Sequence, residues 1–106
     1  AGVVKAEAIF ADSYSGLSGA GKTPKPGFNL FLDAYANIKP YKAGTHQHLP
    51  EMEQELQRLS KSKAQITFIP HIVPVERGLM STIILTPHQP FAEENLLLIY
   101  QEFYSR

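Results

Sequence analysis

Two imidazoles and a carboxylate are crowded into the segment Gly44-Thr45-His46-Gln47-His48-Leu49-Pro50-Glu51. An imidazole exchanges a proton near neutrality, which is what a general acid–base needs. The same H-x-H pattern, followed by Glu51 or Glu53, also has ligands of the right type for zinc or iron, with His46 and His48 on one side of an extended segment. No third ligand is fixed by spacing. A plainer reading has both histidines hydrogen-bonding to the start of a helix. Elsewhere, Arg77 can pair bidentately with a carboxylate or phosphate, or simply form a surface ion pair. For His71 and His88 a loop hydrogen bond is expected.

The element that must position His46 and His48 is a helix from Pro50 to about Lys63. Proline suits a first helical turn because its missing N–H would go unpaired there anyway. Met52, Leu56 and Leu59 then form one apolar stripe, with Glu51, Glu53, Glu55, Arg58 and Lys61 in water. Acids lead and bases follow, as the helix dipole prefers. The partial positive charge at the helix start favours neutral imidazole, whereas Glu51 pulls the other way.

A second feature is the small-residue loop from Ser13 to Thr23, where backbone N–H groups can lie open to an anion. Its GLSGAGKT run satisfies the literal pattern of a phosphate-binding P-loop. Pro24, Pro26 and Gly27 follow at once, where that motif requires a helix to run on.

Around these features the chain reads as alternating strands and helices. Val3 to Phe10 forms a strand closed by Asp12 and Ser13, and Phe28 to Tyr35 a short helix or irregular segment. Ala36 to Ala43 reads as an edge strand containing Pro40. Gln65 to Ile69 is a strand stopped by Pro70. After a bend with two prolines, Leu79 to Thr86 is its expected antiparallel partner. Phe91 to Tyr104 is an amphipathic helix with Leu97, Tyr100 and Tyr104 on one stripe.

With 106 residues the chain is one domain, and ten basic residues balance ten acidic ones, which removes the electrostatic case for nucleic acid or an anionic membrane. No apolar run approaches a membrane span, and no charged-then-apolar leader opens the chain, so a cytoplasmic protein is expected. Cysteine is absent. An opening on Ala1 and a helical-looking end give the expectation of a piece of something longer.

Three stretches, SYSGLSGAGK, THQHLPEMEQEL and FIPHIVPVERGLMST, in that order and at this separation, together resemble one family. They are similar to the C-terminal, substrate-binding and dimerisation domain of N-acetyl-gamma-glutamyl-phosphate reductases, and the resemblance covers roughly residues 3 to 86. It implies NADPH-dependent reduction of N-acetyl-glutamyl 5-phosphate to the semialdehyde, with release of phosphate, in arginine biosynthesis. It also implies roles for particular residues. His46 would be the acid–base partner of a nucleophilic cysteine, with His48 and Glu51 its neighbours in the site. Ser15, Ser18, Gly19 and Gly21 would form the small-residue loop beside the substrate, with Tyr41 and Arg77 near the pocket. Gln47 stands where many members carry arginine.

The implied chemistry is thiolate attack on the acyl phosphate, phosphate loss, hydride transfer to the thioester and release of the aldehyde. Having neither cysteine nor dinucleotide fingerprint, the chain is expected to be only part of such an enzyme. Residues 1–106 would be a single substrate-binding and dimerisation domain, with the cysteine and an NADP-binding Rossmann domain elsewhere in the polypeptide. No cofactor or metal bound to this chain alone, and no reductase activity in isolation, are expected. The fold implied is α+β, like the C-terminal domain of glyceraldehyde-3-phosphate dehydrogenase-like reductases. Its mixed, mostly antiparallel sheet would have helices on one face and a homo-oligomer contact on the other. The alternatives are a stand-alone metal-binding or interaction domain, or a P-loop-type phosphate binder.

Overall fold

The computed structural model describes residues 3–20 and 35–105. Strand β1 (Val4–Ser15) leads through a single 3-10 turn (Leu17–Ala20), and strand β2 (Lys39–Pro40) precedes helix α1 (Leu49–Ser60). Strands β3 (Ile66–Ile72) and β4 (Leu79–Pro87) follow, then helix α2 (Glu93–Tyr104). The strands form one four-stranded sheet in the order β2-β3-β1-β4. β1 is parallel to β3 and antiparallel to β4, and β2 is antiparallel to β3, so the expected mixed, mostly antiparallel α+β architecture holds.

The strand pairing departs from the sequence reading. β3 and β4 are not neighbours, because β1 lies between them, pairing Ile9–Ser15 with Ile66–Ile72 on one side and with Leu79–Leu85 on the other. β1 therefore runs on past Asp12 and Ser13, which belong to its paired interior. The bend after β3 is a crossover. The N–H groups of Gly16, Leu17 and Ser18 donate to the carbonyls of Gly78, Val75 and Glu76, binding the crossover to the end of β1.

Pro70 does not stop β3. Its carbonyl accepts the N–H of Tyr41, so its missing N–H falls on the same side, towards the two-residue β2, and the ladder with β1 loses nothing. The expected strand over 36–43 shrinks to Lys39–Pro40, since Pro70 has no N–H to return the bond it accepts from Tyr41 and the chain turns at Lys42, φ 46°. The expected segment over residues 28–34 lies outside the described residues.

Residues aligned across β3, β1 and β4 share a face. One face carries Ile9, Ala11, Ile66 and Phe68, and Leu49, Met52 and Leu56 of α1 pack against it. Leu59 is 59% exposed, so the buried seam of α1 begins at Leu49 and stops at Leu56. The helix ends at Ser60 because Lys61 turns left-handed at φ 58° and donates its N–H to the Gln57 carbonyl.

Glu53 is half-buried, not in water as its place in the sequence implies. Its carboxylate accepts the Ile66 N–H at 3.3 Å and so ties α1 to the start of β3. Glu53→Ala is expected to cost about 1 kcal/mol in urea unfolding, with the slope unchanged. Glu55→Ala, which removes only the exposed pair with Arg58, is expected to cost less than about 0.5 kcal/mol.

Helix α2 buries none of its residues. Its expected stripe of Leu97, Tyr100 and Tyr104 is exposed, as are Leu96, Leu98 and Phe103, so the helix is apolar nearly all round. Such a helix needs a cover. Among the described residues, no helix is long and apolar enough to cross a membrane.

Candidate functional site

The segment after β2 is tied down onto β3 by backbone bonds. Tyr41 N–H donates to Pro70, Gly44 N–H to Phe68, and Thr45 N–H closes a turn on Lys42. This places His46 over the Phe68 ring, centroids 5.4 Å apart and edge to face, with Tyr41 at 5.6 Å and His48 at 4.8 Å. His48 is the N-cap of α1 but makes no capping bond through its side chain. Its backbone N–H instead donates to Nδ1 of His46 at 3.2 Å. The neutral ring of His46 therefore carries its proton on Nε2.

Burial lowers the pKa of His46, and the neighbouring His48 and Lys42 lower it further. A proton on Nδ1 would also face a backbone N–H. Glu51, exposed in the first turn of α1, is not among the groups that shift it.

A second group of candidate residues lies at the C-terminal end of β1, where Ser15 pairs with Ile72, four residues beyond the Ala11–Phe68 pair over which His46 sits. Ser15 closes β1 and its hydroxyl leans on the Gly16 carbonyl at 3.3 Å, while Ser18 and Gly19 are exposed in the 3-10 turn. The anion cradle read from the sequence is not open here. Gly16, Leu17 and Ser18 donate to the crossover, and Gly19 donates to Gly16, so these four N–H groups are spent on carbonyls. Gly21, Lys22 and Thr23 lie outside the described residues. Arg77 is exposed, and no ion pair engages it among the described residues.

Register places Tyr41 and Ser15 on the same face as α1, with β3 between them, about 12 Å apart by strand spacing and a two-residue stagger. His46 thus touches both Tyr41 and His48, while Ser15, Ser18, Gly19 and Arg77 stand apart, at and beyond the end of β1. Among the described residues, no group of three or more His, Cys, Asp or Glu side chains is placed to hold a metal ion.

Sequence reasoning missed residues on the opposite face. His71 is not in a loop but in β3, where its ring stacks on Tyr14 and its Nδ1 lies 3.0 Å from Asp12 Oδ1. The signal was alternation along the full length of β1, which puts Asp12 and Tyr14 on one face. His88 is exposed, and its backbone N–H donates to the Val3 carbonyl. A recess of about 320 Å³ also opens on that opposite face, lined by Glu7, Phe10, Gln65, Thr67, Ile84 and Thr86, away from His46.

Comparison with known proteins bears on this arrangement. All of residues 1–106 match a family described as the dimerisation domain of semialdehyde dehydrogenase. Among curated relatives, an N-acetyl-gamma-glutamyl-phosphate reductase of Clostridium kluyveri is 41% identical over 103 residues, covering 97% of this chain and 30% of the relative. Its counterpart in Moorella thermoacetica is 38% identical over 98% of the chain and 30% of the relative. That of Syntrophobacter fumaroxidans is 43% identical over 91% and 28%. The chain spans less than a third of the length of these relatives.

Proposed function

Because this chain belongs to the semialdehyde dehydrogenase dimerisation-domain family, we propose that it is the substrate-binding and dimerisation part of an N-acetyl-gamma-glutamyl-phosphate reductase. The larger enzyme would be a cytoplasmic reductase that converts N-acetyl-glutamyl 5-phosphate to the semialdehyde with NADPH in arginine biosynthesis. The observation that carries this reading is the placement of His46. A half-buried imidazole, kept neutral by its surroundings and anchored through Nδ1, holds out one proton at Nε2. Through it the ring donates a hydrogen bond to a leaving oxygen or a thiolate brought against the site, and outright proton transfer is made by the imidazolium, formed when Nδ1 gives up the His48 N–H and takes a proton.

Tyr41 and His48 flank His46, and His48 also anchors it through its backbone. Arg77, exposed on the crossover and without an ion pair among the described residues, supplies a fork for the substrate's carboxylate or phosphate. The hydroxyls of Ser15 and Ser18 and the backbone at Gly19 border the same side, and Gly21 and Glu51 complete the set by resemblance.

The described residues do not fit NADP(H). A dinucleotide needs open N–H groups at a strand-to-helix turn, and those after β1 are already taken by carbonyls. We assign the cofactor, and the nucleophilic cysteine, to a separate Rossmann domain of the same polypeptide. A second copy of the chain is assigned to the sheet face opposite α1, where Met80, Thr82 and Ile84 are exposed.

The test is NADPH oxidation with N-acetyl-glutamyl 5-phosphate, followed by absorbance. The full polypeptide carrying this chain is expected to turn over, and residues 1–106 alone are expected not to. Turnover by residues 1–106 alone, or none by the full polypeptide, sinks the reading.

A further inference from the structure

The sheet face opposite α1 carries a polar cluster in apolar surroundings that the proposed chemistry does not use. Tyr14 donates its hydroxyl to Asp12 Oδ2 at 2.8 Å and stacks on His71, ring centroids 4.9 Å apart at 15°. The other carboxylate oxygen, Oδ1, faces His71 Nδ1 at 3.0 Å. Both of these atoms are buried, and neither has a well-aligned hydrogen bond. The side chains remain 17% exposed for His71 and 25% for Asp12. Phe10 and Ile69 lie beside them half-buried, and Met80, Thr82 and Ile84 extend the face along β4, exposed.

We propose that a second copy of this chain covers this face and that the Asp12–His71 pair makes the contact proton-dependent, tightest when His71 carries a proton. The proposal rests on the homo-oligomer reading above. The occupant follows from the family, whose matching model describes a dimerisation domain, and from the exposed Met80 and Ile84 on a face otherwise unpartnered among the described residues.

The sign follows from the cost of burying net charge. A carboxylate beside a neutral imidazole takes a negative charge into the interface. A carboxylate beside an imidazolium takes in a pair with no net charge. Few other groups compete for this role. β1 presents Asp12 and Tyr14 to His71, β2 presents Pro40, and β4, beyond β1, presents Met80 and Thr82. The hydrogen bond to Asp12 raises the pKa of Tyr14, with burial and the Asp12 charge adding to it, so its phenol stays protonated and adds no charge.

In a two-fold contact the patch meets its own copy, so two such pairs are covered at once. The dimer then binds more protons than its monomers, and association weakens as pH rises.

The experiment is sedimentation equilibrium of the full polypeptide from about pH 6 to about pH 8, the range in which histidine ordinarily titrates. The dissociation constant is expected to rise about 10- to 100-fold across that range. His71→Gln is expected to flatten the profile. Asp12→Asn leaves an imidazolium without its counter-charge, so its profile is expected to reverse, with association weakening as pH falls. Ile84→Asp is expected to dissociate the dimer at every pH.

A monomeric wild type, or a dimer indifferent to Ile84→Asp, overturns the covering of this face and the proposal with it. A dimer broken by Ile84→Asp but insensitive to pH leaves the face covered and overturns the role of the pair. Should Asp12→Asn fail to fold by circular dichroism, the wild-type and His71→Gln profiles still decide.

Discussion

His46→Gln in the full polypeptide is expected to lower kcat by about 10²- to 10⁴-fold, the usual contribution of a positioned acid–base group. KM is expected to stay within about threefold, because the amide preserves the packing over Phe68 and removes only a proton made available in the transition state. The orientation of the ring sharpens the expectation. With Nδ1 accepting from His48, the neutral ring offers a donor at Nε2. The resting fold thus prepares a hydrogen-bond donor at Nε2, while taking a proton there requires the other tautomer and the loss of the His48 contact, and giving one up requires the imidazolium. Nitrogen NMR of the histidine side chains checks this directly: a resting Nδ1–H tautomer for His46 would show that the backbone bond does not hold it.

The lowered pKa of His46 gives a second signature with a definite sign. The unfolded chain takes up this proton at histidine's ordinary value, whereas the folded chain resists it because burial, His48 and Lys42 disfavour the imidazolium. The contribution of this group to stability is therefore full above the ordinary histidine range and is lost as pH falls through the lowered value. Protein carrying His46→Gln is expected to lack that part of the acid-side decline in stability. Equal declines in both proteins would mean that His46 titrates as it does in the open chain.

Helix α1 and the crowding of imidazoles at its start were legible in the sequence because apolar spacing and Pro50 are local signals. The order of strands was not. Ile66–Ile72 and Leu79–Pro87 read as partners because they are consecutive and apolar, but β1 fills the space between them by pairing along both edges through Ser15. That pairing is long-range and leaves no local mark on Asp12 or Ser13. Glu53 was misread for a related reason: its spacing on α1 says solvent, while the Ile66 N–H that claims it belongs to another element. The openness of the small-residue loop was a statement about composition, and the crossover carbonyls that occupy its N–H groups come from some sixty residues away. His71 and Asp12 meet only once the sheet register is set, so no spacing rule brings them together.

Gly16→Ala is expected to have the largest effect on stability, a loss of about 2–3 kcal/mol and a fall in Tm of more than about 8 °C. A Cβ at this position would stand 2.9 Å from the Val75 carbonyl oxygen and 3.0 Å from both the carbonyl carbon and Cα of Arg77. All three are backbone atoms. They belong to the crossover whose carbonyls bind Gly16, Leu17 and Ser18, so the methyl group can be seated only by pulling the two loops apart and weakening those bonds. Gly19→Ala is the internal comparison. Among the described residues its Cβ would meet only Ser15 Oγ, at 2.7 Å, the end of a side chain that can rotate away, so a change within about 0.5 kcal/mol is expected, and Ser15→Ala should absorb what remains. The same separation has a functional side, because the crossover carries Arg77. A displaced crossover moves the guanidinium relative to Tyr41 and His46, so Gly16→Ala is expected to raise KM at temperatures where the protein remains folded, while Gly19→Ala leaves KM near its original value. If Gly16→Ala unfolds at the wild-type temperature, the close approach of the crossover to the end of β1 is not what holds Arg77 at the site.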